Sequence, residues 1–283
     1  MRMFGSHLSI AGGMHNALLE AERLGFSTAQ VFTKNQQQWK IKPLDPAAVA
    51  EWRLHCDRLK FKQTVSHDSY LINLASPDDA LRRKSVELFM EELRRCMVLK
   101  IPYLVTHPGA HMGEGEEKGL KRVAESLDEV HAGVPPDGVV TCLEITAGQG
   151  TSLGYKLEHL AEIIALSKHP ERLAVCFDTA HLFAAGYDFR GRKYQAFMKQ
   201  VEATVGIKRL KVWHLNDSKK DLGSRVDRHE HIGKGTIGLE GFKPIVRDAA
   251  FRKIPKILET AKAKDEQGRD WDAVNLETLK SLM

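Results

Sequence analysis

Five histidines and four carboxylates carry the chemistry this sequence can do: His67, His107, Glu144, Asp178, His181, His214, Asp227, His229 and Glu259. Most stand at the end of a short apolar run, where a buried strand gives way to a loop. Glu144 follows VVTCL, Asp178 follows LAVCF and Glu259 follows PKIL. An ionised carboxylate in such a place is very costly unless it is paired or bound to metal. A histidine at a strand end is usually a hydrogen-bonded core or surface residue, and His67 or His107 taken singly says no more than that. Together, nine N/O donors exceed what one tetrahedral ion needs and suit a multinuclear site for hard or borderline cations. Asp227 and His229 are two apart, which puts both side chains on one side of an extended segment. In a basic loop the same Asp-Arg-His could be only a surface ion pair. Two similar features are set aside. Leu276, Glu277 and Thr278 repeat the Leu-Glu-Thr around Glu259, but they fall in the final helical stretch, so Glu277 is assigned to solvent. His231 stands beside Asp227 and His229 and ranks below His229 as a ligand.

Residues so far apart in sequence meet only if a fold gathers strand ends. Short β-branched or aromatic runs at 3–8, 28–33, 63–67, 103–107, 139–145, 173–178, 209–215 and 255–260 read as strands. Stretches of helical period lie near 13–24, 46–60, 78–99, 117–131, 156–168, 192–205, 240–250 and 270–281. In 78–99, Ser76 is placed as the cap and Pro77 in the first turn, with Leu81, Ser85, Leu88, Glu92 and Cys96 near helical spacing. Strand–helix alternation argues for a parallel sheet with crossover helices, and eight units argue for closure into a (β/α)8 TIM barrel. An open doubly wound sheet is the alternative, but no G-x-G-x-x-G follows the first strand. In a barrel, His67, His107, Glu144, Asp178, His214 and Glu259 end strands three to eight, at the C-terminal mouth where such folds do their chemistry. His181 follows Asp178 by three residues. The long loops 33–45 and 216–238 are polar and basic, and loops of that size are commonly functional.

The 283 residues suit one barrel domain spanning 1–283. Lys and Arg exceed Asp and Glu by 42 to 37, a formal charge of +5, compatible with a polyanionic partner and equally with a solvated surface. Cys56, Cys96, Cys142 and Cys176 form no C-x-x-C pair; Cys142 and Cys176 lie inside apolar runs and look like small buried hydrophobes, and the four read as reduced thiols, neither disulfides nor zinc ligands. The start MRMFGSHLSI has no signal-peptide character, and no apolar run approaches a membrane span. The expected setting is cytoplasmic, with no membrane partner.

The chain resembles the endonuclease IV family of apurinic/apyrimidinic endonucleases, within the xylose isomerase-like barrels. The resemblance rests on FTKNQQQW (32–39), SHDSYLINL (66–74), THPGAH (106–111), LEITAGQG (143–150), CFDTAHLFAAGYD (176–188), HLNDSK (214–219), GSRVDRHEHIGKGTIG (223–238) and ILET (257–260), in family order over essentially the whole chain. It implies three zinc ions, with manganese or iron also compatible with the ligands. His67 and His107 hold one, Glu144 bridges it to a second completed by Asp178, His214 and Glu259, and His181, Asp227 and His229 hold the third. The sequence departs from the family in three places. Ile145 replaces a frequent Asn, Gln37 a frequent Arg, and Ala180 a common Cys.

The implied activity is hydrolysis of the phosphodiester 5′ to an abasic site in double-stranded DNA, leaving 3′-hydroxyl and 5′-deoxyribose phosphate ends. Trimming of 3′ ends belongs to the same expectation. Glu144 is the expected catalytic residue, placing the attacking water. An abasic nucleotide has no base to stack, so extruding it costs less. Tyr70 and Leu71 are candidate wedges, with Gln37 a weaker one. Lys34, Arg225 and Arg228 are candidate phosphate contacts, and binding should weaken steeply with salt. His7 is either a residue supporting the ligands or a structural hydrogen-bonder. A monomer without protein partners, nucleoid-associated during repair, completes the expectation. Two rivals stand beside it: a divalent-metal sugar isomerase or epimerase on the same barrel, and a DNA-binding relative that has lost catalysis.

Overall fold

The computed structural model describes residues 2–136 and 138–283; Met1 and Asp137 lie outside them. Eight parallel strands form one sheet. They are β1 (Phe4–Ser6), β2 (Gln30–Val31), β3 (Val65–His67), β4 (Tyr103–Thr106), β5 (Val140–Glu144), β6 (Leu173–Asp178), β7 (Leu210–His214) and β10 (Lys256–Leu258), in the order β1-β10-β7-β6-β5-β4-β3-β2. The two edges meet through a parallel bridge between His7 and Gln30, with the Leu8 N–H donating to Gln30 O at 2.9 Å. The expected barrel is therefore the observed one. Each predicted strand is present; 173–178 is observed at full length, the others are trimmed at one or both ends, and 28–33 shortens to two residues.

The crossover helices are α1 (His15–Leu24), α2 (Pro46–Leu59), α3 (Asp79–Leu99), α4 (Glu116–Gly133), α5 (Leu157–Leu166), α7 (Tyr194–Thr204), α8 (Leu239–Arg247) and α9 (Trp271–Ser281). Local chemistry sets their starts. Asp45 accepts from the Ala47 N–H ahead of Pro46, where Pro's fixed φ suits the first turn. The cap of α3 corrects the sequence reading. Asp78, not Ser76, accepts the N–H groups of Ala80 and Leu81, because a carboxylate at this position reaches two orphan donors. Ser76 instead accepts the N–H of Asp78, and Pro77 lies before the helix. Among the described residues one α-helix was not foreseen: α6 (Thr179–Ala185), capped by Asp178 through the His181 N–H at 2.9 Å. The long loop after β7 also contains a short antiparallel pair, β8 (Asp217–Ser218) with β9 (His229–Glu230).

Packing separates into two layers. Between strands and helices lies the large outer core, with Trp52, Phe89, Phe177 and Trp213 among its fully buried members. Inside the barrel lie Val65, Val105, Cys142, Ala174, Cys176, Val212 and Ile257. Side chains alternate faces along a strand. His67, His107, Glu144, Asp178, His214 and Glu259 each stand two residues beyond one of these inner residues. The inner apolar layer is thus the floor on which six of the nine chemical groups rest.

A candidate metal centre at the barrel mouth

All nine residues meet at the C-terminal end of the strands. Donor atoms of His67, His107 and Glu144 lie within 4.8 Å of one another, as do those of Glu144, Asp178, His214 and Glu259, and those of Asp178, His181 and His229. Asp227 closes on the last group, its Oδ2 3.3 Å from His181 Nε2 and its Oδ1 3.3 Å from His229 Nε2. Glu144 sits at the centre. Its Oε2 faces Nε2 of His67 at 3.1 Å and of His107 at 3.3 Å, and its Oε1 faces Nδ1 of His181 and of His214, both at 3.1 Å. Asp178 and Glu144 are fully buried. β9 brings His229 over the mouth because buried Asp217 accepts N–H groups from Ser218, Gly233 and Ile237, fixing that loop from within.

The outer ring nitrogens decide what the inner ones can do. His67 Nδ1 lies 2.9 Å from Asp68 O, His181 Nδ1 2.9 Å from Ile145 O, and His229 Nδ1 3.3 Å from Glu259 O. His214 Nε2 lies 2.8 Å from the side-chain oxygen of Gln30. A carbonyl can only accept, so each of these nitrogens carries the proton and the other nitrogen turns a lone pair or a positive charge toward the acids. His214 Nδ1 then confronts Glu144 at 3.1 Å and Glu259 at 3.0 Å. His181 and His229 oppose their Nε2 atoms at 3.4 Å. Such an arrangement calls for positive charge between rings and acids, which protons or metal ions can supply. The ionisation pattern says the same. Burial alone would neutralise Glu144, but the imidazoles of His214 and His107 hold it well below the carboxylate range. Burial likewise opposes a charge on His229, yet Asp178 and Asp227 push its pKa up to about 9. The donor set, all N and O apart from neighbouring Cys176, fits divalent ions of zinc type.

Two supporting residues, Gln30 and Asn216, had no place in the sequence reading, while His7 takes the first of the two roles offered for it. The Gln30 amide also donates to Glu259 Oε1 at 2.5 Å and lies 3.0 Å from His7 Nδ1. His7 itself reaches Glu259 at 3.4 Å, so it supports a member of the cluster. Asn216 donates to Asp178 Oδ2 at 2.6 Å and accepts the Glu259 N–H at 2.8 Å. Gln30 could have been noticed as a polar residue inside an apolar run; Asn216 gave no signal. Cys176 lies beside Glu144 and His214, nearer the chemistry than a plain core residue, and burial pushes its thiol up to about 12. The Ile145 side chain is buried in the outer core, on the opposite face from Glu144, while its carbonyl holds His181. Ala180 is buried in α6.

The other candidates divide. A cavity of about 290 Å³ opens beside the cluster between Tyr70, Asn73, His107, Gln149, His181 and Asp227. Tyr70 is 63% exposed, its ring 5.2 Å from that of His67, and Leu71 beside it is half-buried. Gln37 is exposed on the 33–45 loop. Arg225 and Arg228 are exposed, and the Arg225 guanidinium lies 4.4 Å over the Tyr155 ring. Gly148, at φ +76°, passes so close to that ring that a Cβ there would stand 2.7 Å from it. Lys34 departs from expectation. Its side chain is buried and its ammonium donates to Asn35 O and Gln38 O at 2.8 and 2.9 Å, so it organises its own loop. The two set-aside residues stay apart. Glu277 is exposed near Arg269, and His231 stacks on Trp271 at 4.0 Å and meets Asn275 at 3.1 Å.

The xylose isomerase-like TIM barrel family model matches residues 18–282. A "Probable endonuclease 4" of Chloroflexus aurantiacus is 49% identical over 284 aligned positions, covering 100% of this chain and 99% of the relative. Another from Geobacter sulfurreducens is 48% identical, covering 99% and 94%. Endonuclease IV from Thermus thermophilus superposes with a TM-score of 0.86 at 36% identity, covering 100% and 98%. A D-tagatose 3-epimerase-like protein superposes at 0.75 with 20% identity, a likeness of fold alone. With its barrel, its nine gathered donors and these full-length relatives, the chain belongs to the endonuclease IV family.

Proposed function

We propose that this protein is a metal-dependent DNA repair endonuclease that cuts the phosphodiester 5′ to abasic sites in duplex DNA, leaving 3′-hydroxyl and 5′-deoxyribose phosphate ends. The observation that carries the reading is the inward turn of ring nitrogens from His67, His181, His214 and His229 onto four carboxylates. His67, His107 and Glu144 would hold one zinc ion. Glu144, Asp178, His214 and Glu259 would hold a second. His181, Asp227 and His229 would hold a third, next to Asp178. Bound there, such ions supply Lewis acidity toward a phosphoryl oxygen and ionise water near neutral pH.

The chain's own groups do the rest. Glu144 orients the attacking water through the cluster it centres. The small cavity between Tyr70 and Gln149 has room for a sugar-phosphate and favours a nucleotide stripped of its base. Tyr70, Leu71 and Gln37 face the duplex as wedges, and Arg225 and Arg228 meet its phosphates. The protein works as a monomer on DNA, with 3′-end trimming at the same site.

The test is a duplex with one tetrahydrofuran abasic analogue. Zinc-replete protein should incise it once, on the 5′ side, and Glu144→Gln should lose more than about 100-fold in rate, since changes one bond further out already cost 10–100-fold. Turnover of a ketose with no incision would make the protein an epimerase; tight binding with no incision would make it an inactive relative.

A further inference from the structure

α3 carries two buried ionisable side chains one turn apart, Glu92 (0% exposed) and Arg95 (7%), neither of them among the nine gathered donors. The Arg95 guanidinium spreads over both ends of one mouth loop. Nη1 donates to Lys42 O at 3.0 Å, Nε to Thr33 Oγ1 at 3.3 Å, and Nη2 to Thr33 O. Residues 33–42 are thereby closed at their base. Glu92 Oε1 accepts the Ser69 N–H at 3.1 Å. Ser69 completes a circuit, its hydroxyl donating to Gln36 O at 3.1 Å. The exposed residues Gln37 and Tyr70 are the immediate chain neighbours of the two residues so joined.

From this geometry we infer that Glu92 and Arg95 are positioning residues that lock loops 33–42 and 68–72 into one rigid unit for entering damaged DNA. The inference rests on the abasic-DNA reading above. Its physical basis is pre-organisation: a loop already fixed in its bound shape need not lose that freedom on association. Binding of DNA, not the chemical step, is what α3 sets.

Arg95→Lys keeps the charge but cannot span three acceptors. It should raise KM for the tetrahydrofuran duplex by about tenfold, leave kcat within about twofold, and leave zinc stoichiometry unchanged. Amide hydrogen exchange should quicken together in 34–42 and 69–71. Glu92→Gln retains an acceptor for Ser69 and should stay within about twofold of the parent in KM, whereas Glu92→Ala should behave like Arg95→Lys. Should a helix variant not fold, Ser69→Ala breaks the link to Gln36 without touching a buried charge and should still raise KM and quicken exchange in both loops. An unchanged KM, a fall in kcat accompanied by zinc loss, or exchange that quickens in one loop alone would overturn the inference. Exchange needs no turnover, so a parent that fails to cut the duplex sinks the functional reading while the coupling of the loops is judged separately.

Discussion

At the scale of single residues, the site is organised by what each imidazole does with its far nitrogen. A histidine whose outer N–H is held by a carbonyl has its tautomer and ring plane fixed, which is how ligating histidines are usually oriented. His229 and His231 show how two neighbours diverge. His229 is held by Glu259 O and points at His181 and Asp227. His231 lies flat against Trp271 and meets Asn275, which spends both its face and a ring nitrogen on packing. His229→Ala should therefore cost one bound ion per molecule and, in the chelated protein, should also lose the stability that its proton confers. His231→Ala should keep all ions yet destabilise by about 1–2 kcal/mol through the lost stacking and hydrogen bond. Elemental analysis beside denaturant unfolding separates the two. An equal loss of metal from both variants would contradict the assignment.

At the scale of elements, the period of a strand does the positioning. The inner apolar residue two places before each of the six strand-end ligands keeps its strand in register, and the ligand inherits that direction. This much was readable in the sequence, because burying an acid at the end of an apolar run is costly unless a cation or a hydrogen-bond donor meets it there. Helix starts were less readable. The sequence reading places Ser76 as the cap of α3, and only the hydrogen bonds show that Asp78 serves Ala80 and Leu81. Asp78→Ala should cost about 1 kcal/mol, and Ser76→Ala clearly less. Urea midpoints at unchanged slope would check this, and the reverse order would restore Ser76 as the cap. Other elements were hidden for physical reasons. α6 spans seven residues, too few for a helical period to declare itself. The β8–β9 pair has no strand-like composition and is held by the buried Asp217 carboxylate accepting backbone N–H groups. Gln30 acquires its role only when β2 closes against β1, since that closure brings it to His7, Glu259 and His214. Lys34 reads as a free cation in sequence and is a loop staple once folded.

At the scale of the molecule, the mouth gathers four carboxylates and five imidazoles in a chain of net charge +5. The buried acids need positive charge, and protons and metal ions compete to provide it at the same ring nitrogens. His229 illustrates the sign. Its pKa in the folded protein is pushed up to about 9 from the ordinary 6.5, burial opposing and Asp178 and Asp227 prevailing. In chelated protein, the stability this proton confers is complete below about pH 6.5 and is lost as pH rises toward 9. A metal ion must displace that proton at low pH but finds the nitrogen free at high pH. The stabilisation by zinc should therefore grow across this window. At a free zinc concentration 100 times the dissociation constant, one site adds about 2.7 kcal/mol, and displaced protons subtract from that at the acid end. Thermal unfolding with zinc at a buffered free concentration, and with chelator, at several pH values between 6.5 and 9 measures the difference directly. A difference in Tm that stays flat or shrinks with rising pH would mean that the imidazoles and the ions do not share their positions, and the cluster would have to be reassigned.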